Sequence, residues 1–129
     1  MEKNYLHTDL TDQIIKAFYK VYNRMGYGFL EKVYENALMI ELVNIGLEVK
    51  RQVLVKVYYE GEEVGGYFAD IVVEGLVILE LKACDSFIYE HEAQLTNYLK
   101  ASKMELGLLL NFGPKAQVKR RVFSNEYKK

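Results

Sequence analysis

The sequence has one cysteine, one proline and two histidines in 129 residues. The lone Cys84 excludes an internal disulfide framework and any zinc site built from cysteines alone. His7 and His91 are too few for a histidine-rich metal cluster. A single Pro114, with no Ser-, Gly- or Pro-rich tract, leaves no interdomain linker. Neither sign of charge dominates: 17 Lys and Arg face 18 Asp and Glu, a net charge of −1. A polybasic nucleic-acid binder is therefore excluded, and any basic surface must be local. No apolar run reaches the roughly 18–20 residues of a membrane span. The opening MEKNYLHTDL has no signal-peptide hydrophobic segment. These absences lead us to expect one cytoplasmic domain over residues 1–129 with no membrane partner.

Half the residues are hydrophobic, and their spacing changes along the chain. Leu10, Ile14, Ala17, Phe18, Val21 and Tyr22 recur at helical intervals, with Thr8 or Thr11 as a candidate cap. Gly26-Tyr27-Gly28 breaks that helix. A second helix is expected from about Phe29 to Asn44, with Leu30, Val33, Tyr34, Ala37, Leu38 and Leu42 as its apolar stripe and Gly46 as its stop. From Val49 to Tyr59 the period becomes two, which predicts a half-buried strand. Glu60-Gly61-Glu62 reads as a hairpin turn, and a strand follows over about Glu63–Val73, with Gly65-Gly66 marking a bulge. The nearly unbroken apolar run from Leu76 to Lys82 suits a central strand covered on both faces. A third helix over about Ile88–Ser102, a short buried strand over Leu106–Asn111 and an edge strand over Val118–Phe123 complete the order. The fold class is α/β: a mixed (α+β) sheet flanked by helices, in the order α-α-β-β-β-α-β-(β).

A carboxylate and an amine inside the run VILELK need a reason, because buried central strands are apolar. Glu80 and Lys82 are two apart and share a face. Asp70, ten residues before Glu80, joins them or not according to the turn between. A two-residue Glu74-Gly75 turn pairs Val73 with Leu76 and sends Asp70 to the opposite face. A three-residue loop, Val73-Glu74-Gly75, pairs Val72 with Leu76 and sets Asp70 opposite Ile78, on the face of Glu80 and Lys82. Two carboxylates brought together repel unless one is protonated or a cation lies between them. Hard oxygen ligands with waters suit Mg²⁺ or Mn²⁺, and Lys82 can then stabilise charge on a phosphate. The plainer reading is a buried Glu80–Lys82 ion pair beside a surface Asp70. His91, Gln94 and Tyr98 fall on one face of the third helix, either to position water and substrate or simply as an amphipathic surface. Glu31 can point at the same site or be a first-turn glutamate favoured by the helix dipole. Lys115, Lys119, Arg120, Arg121, Lys128 and Lys129 form either a phosphate-tracking surface or a solubilising tail. Eleven tyrosines add stacking surface.

Gly28-x-x-Glu31-x-x-Tyr34, then Asp-x9-Glu-x-Lys, then Gln94-x-x-x-Tyr98 form an ordered set. With YENAL, FAD, ILELKA, EAQLTNYLK and GLLLNFG, this set resembles the GxxExxY proteins of the PD-(D/E)XK nuclease superfamily from about Thr11 to Arg121. The resemblance implies a restriction-endonuclease-like core and a metal-dependent nuclease; substrate and pathway do not carry over from the family, and our expectation is action on DNA ahead of RNA, in repair, recombination or defence-type processing. It implies Asp70, Glu80, Lys82 and Gln94 as catalytic residues, and Asp70, Glu80, the Leu81 carbonyl and Glu31 as ligands of Mg²⁺ or Mn²⁺. Tyr98, Gln94, His91, Lys119, Arg120 and Arg121 become the expected substrate contacts. Phe68-Ala69 departs from the family's proline-bearing approach to the aspartate, which bears on the turn and not on the ligand. The alternative is a non-catalytic nucleic-acid-binding or assembly module on the same fold. So small a chain offers little surface for gripping a duplex, so a homodimer or a partner protein is the expected supplement.

Overall fold

The apolar periodicities fold as two packed layers on a twisted sheet. The computed structural model describes residues 6–128. The helices are α1 (Thr8–Met25), α2 (Glu31–Asn44) and α3 (Tyr89–Ala101). The strands are β1 (Val49–Tyr59), β2 (Glu62–Val73), β3 (Val77–Lys82), β4 (Leu106–Asn111) and β5 (Gln117–Val122), with a short 3-10 turn at Asn125–Tyr127. The strands lie in chain order; β3 and β4 run parallel and the other neighbours antiparallel. The mixed sheet flanked by helices is the expected α+β architecture. Among the described residues no helix is long and apolar enough to cross a membrane.

One face of the sheet packs on α1 and α2: Ile14, Phe18, Leu38 and Leu42 meet Ile71, Leu79, Leu108 and Phe112. The other packs on α3: Leu95 and Leu99 meet Val72, Ile78 and Leu109. Gly107 lets α3 approach, since a Cβ there would lie 2.7 Å from Leu95 Cδ1. β3 and β4 supply both layers, which explains their unbroken apolar runs.

Several local expectations are corrected. Neither threonine caps α1: His7 occupies the N-cap position without a side-chain bond, and the Thr11 hydroxyl donates to Thr8 O. The α2 stripe is rotated, leaving Leu30 79% exposed and burying Glu35 instead. The hairpin bulge falls opposite Val57 and Tyr58, where Val64 is the extra residue beside Gly65. The turn after β2 runs from Val73 to Leu76, closed by the Leu76 amide donating to Val73 O. Glu74 and Gly75 are both left-handed there, so Leu76 joins the loop and Val73 pairs with Val77. Asp70 therefore faces Glu80 and not Ile78; the shift of two residues keeps it on the expected face.

Candidate active site

The Asp-x9-Glu-x-Lys residues meet where β2 leaves β3. The backbone ladder runs from Val73–Val77 to Ile71–Leu79 and stops. At the next step, side chains replace backbone pairing. The Asp70 amide donates to Glu80 Oε2 at 3.1 Å, and the Leu81 amide donates to Asp70 Oδ2 at 2.8 Å. Each carboxylate closes the gap with one oxygen and leaves the other without a hydrogen bond among the described residues. The N–H and C=O of a strand residue point to one edge. Lys82 O accepts from the Phe112 amide on the β4 side, so its neighbour Leu81 turns its carbonyl toward Asp70.

β2 also turns over at this point. Ala69 and Val72 pack in the same α3 layer although three residues apart, which a regular strand forbids. Opposite Asp70, Gln52 of β1 has φ 53°, and this pair is skipped in the β1–β2 ladder. Gln52 Nε2 donates to Glu35 Oε1 at 2.9 Å, and Glu35 also accepts from Lys32 and pairs with Arg51. α2 thus anchors the kink that aims Asp70. The helix is itself anchored by Tyr34, whose hydroxyl donates to Gly26 O at 2.6 Å, accepts from the Phe29 amide, and whose ring stacks on Phe112. Gly28, at φ 114°, makes the turn that leads to Glu31.

Burial, with the Asp70 charge added, pushes the Glu80 carboxyl up to about 8. Burial also raises Asp70; Glu35 and Glu31 push the same way, while the Leu81 amide and Lys82 oppose. A cation between the two carboxylates relieves this repulsion. Two hard carboxylates, each with an oxygen to give, beside a strand carbonyl, fit Mg²⁺, which binds through one or two carboxylates and keeps several waters. Among the described residues no three His, Cys, Asp or Glu side chains gather closely enough to hold one ion. Glu31 is exposed on the first turn of α2, and its charge reaches both carboxylates. Lys82 is half-buried, and its charge favours ionisation of both carboxylates without a direct ion pair among the described residues.

On α3, Tyr98 borders this pocket. Burial and the charges of Glu80 and Asp70 push its hydroxyl up to about 12, and its ring stacks on Tyr67 of β2 at 3.4 Å. Gln94 is exposed one turn earlier. His91 accepts the Ile88 amide at Nδ1, and burial and Lys82 lower its pKa.

A sequence model of the PD-(D/E)XK nuclease superfamily matches residues 8–122. The chain belongs to the PD-(D/E)XK nuclease superfamily. No curated protein matches it significantly. The crystal structure of SSO0001 shares its fold, with a TM-score of 0.55 and 19% identity over 70% of this chain. That alignment takes in 48% of SSO0001, so this PD-(D/E)XK chain spans about half the length of that relative.

The three cations expected at the substrate are placed differently from one another. Lys119 is exposed. Arg121 is ion-paired with Glu92 on α3. Arg120 turns inward, donating to Thr11 Oγ1 and Leu6 O, so its guanidinium braces α1. Of the basic tail, Lys128 is engaged by Ser102 O and Met104 O, and Lys129 lies outside the described residues. Sequence reasoning missed three supporting residues of this PD-(D/E)XK site. Glu35 had a signal, lying one helical turn after Glu31. Gln52 had none. Asn111, fully buried at the end of β4, accepts from the Cys84 and Gly113 amides and donates to Cys84 O and Gln117 Oε1. It ties down the chain leaving Lys82. Gly113 is required there, because a Cβ would overlap Cys84 O.

Proposed function

We propose that this protein is a nuclease of the GxxExxY type, a Mg²⁺- or Mn²⁺-dependent phosphodiesterase acting on nucleic acid, DNA ahead of RNA. One observation carries the reading: the sheet parts at Asp70 and Glu80, and both carboxylates hold the gap open with an oxygen to spare. Asp70, Glu80 and the Leu81 carbonyl would hold the ion, and Glu31 would reach its water shell from α2. Bound there, the ion supplies charge neutralisation and water activation. Lys82 stabilises the negative charge that grows on the phosphate as the P–O bond breaks. Gln94 orients water or substrate, Tyr98 walls the pocket, and His91 offers Nε2 to the substrate. Lys119 and Arg121 are the cations left for substrate phosphates once Arg120 is assigned to α1.

The test is cleavage of labelled single-stranded DNA, duplex DNA and RNA with Mg²⁺ or Mn²⁺. We expect EDTA to abolish cutting, and Asp70→Asn, Glu80→Gln or Lys82→Ala each to slow it at least about a hundredfold. A wild type that cuts none of these polymers, or a Glu80→Gln protein as active as wild type, refutes the proposal.

A further inference from the structure

Beside the carboxylates, the β1–β2 hairpin and α3 enclose a groove of about 520 Å³, lined by Lys56, Tyr58, Tyr67, Asn97, Tyr98 and Lys100 among others. Among the described residues no acidic side chain lines it. Lys56 pairs outside the lining with Glu63, whose Oε1 lies 3.6 Å from Lys56 Nζ. Tyr58 is 59% exposed at the rim, and Lys100 lies 5.4 Å over the Phe123 ring. The Tyr67–Tyr98 stack spans one side, with the Tyr67 hydroxyl buried and unpartnered. The stacked pair sits close to the carboxylates along the chain: Tyr67 lies on β2 three residues before Asp70, and the Glu80 charge reaches both rings.

We propose that this groove is a subsite for one or two unpaired nucleotides of the substrate, leading away from Asp70 and Glu80. Aromatic faces interleaved with cations are the pattern that holds single strands regardless of sequence. Lys56 and Lys100 meet phosphates, Tyr58 stacks a base, and Asn97 reaches a base edge. A duplex keeps its bases stacked inward and cannot offer them to a cleft between a hairpin and a helix. The direction of the strand rests on the nuclease reading; the binding itself does not.

The test is fluorescence anisotropy in EDTA, with short labelled oligothymidylate, oligouridylate and a blunt duplex. We expect both single strands to bind more tightly than the duplex, with the better of the two naming the polymer. Lys56→Glu should weaken binding about tenfold and flatten the salt dependence by about one unit of log–log slope. Tyr58→Ala and Asn97→Ala should weaken it several-fold. Glu63→Gln, which frees Lys56, should tighten it, a gain that misfolding cannot mimic. Lys16→Glu, on α1, should change nothing. Preferred binding of duplex overturns the proposal, as does wild-type affinity in Lys56→Glu and Tyr58→Ala. If single strands bind through this groove yet nothing is cut with Mg²⁺ or Mn²⁺, the groove stands and the nuclease reading falls. If the protein cuts while the groove variants bind normally, the groove falls alone.

Discussion

Glu80 is 6% exposed, with Asp70 facing it across the gap and Lys82 two residues along. Its carboxyl is raised from an ordinary 4.5 to about 8, so the folded protein holds this proton more tightly than the unfolded chain does. Between those values the native state binds more protons, and stability must fall as pH rises. The raised Asp70 adds in the same direction. The depressed His91 acts oppositely, but only below its ordinary 6.5. The clean window for Glu80 is therefore about pH 7 to 8, above the histidine and below the range where the raised Cys84 thiol adds a slope of the same sign. We expect the melting temperature of metal-free protein to drop across that window, and the slope to vanish in Glu80→Gln. A flat wild-type profile in thermal melts contradicts the description of the pocket. At this scale the sequence was readable where chemistry clashes with burial, as at a Glu and a Lys inside VILELK. It was silent at Gln52, whose left-handed backbone is imposed by Glu35 on another element and has no local signature.

Secondary structure followed from periodicity because each helix and strand buries one face locally, and α1, α3 and all five strands lie close to where their spacing put them. Register did not follow. The sequence offers only Gly75 as a left-handed residue, yet Glu74 adopts the same conformation, and the loop takes in Leu76. α2 misled for a different reason: Leu30 and Val33 look like core, but cations and an amide from β1 and α2 pull Glu35 inward instead. This pins α2 near its start at two adjacent residues: Tyr34 holds it to the preceding turn, and Glu35 ties it to the Gln52 kink. Tyr34→Phe keeps the stack on Phe112 but removes the bonds to Gly26 O and the Phe29 amide. We expect a loss of about 1–2 kcal/mol in urea denaturation. A several-fold drop in cleavage should accompany it, because Glu31 rides on the first turn. Unchanged stability would show that the turn is held by other contacts.

Across the molecule, the sheet divides at Asp70. On one side β3 and β4 are covered by helices on both faces; on the other the β1–β2 hairpin extends with β2 paired only to β1. Opening free energies should divide the same way. We expect amides of Val77–Lys82 and Leu106–Asn111 to exchange near the global limit. Those of the hairpin between Lys56 and Phe68 should exchange much faster in native-state hydrogen exchange. Uniform protection would mean that the hairpin is part of the same cooperative unit.

The seam of amides that opens the sheet also gauges the size of what enters it. Asp70 and Glu80 each commit one oxygen to a strand N–H, so a two-toothed grip by either would have to share an oxygen already bonded to the backbone. If an ion binds here as proposed, we expect a small, octahedral one that accepts single oxygens from each side to outcompete a large ion such as Ca²⁺, which favours a two-toothed grip and more donors.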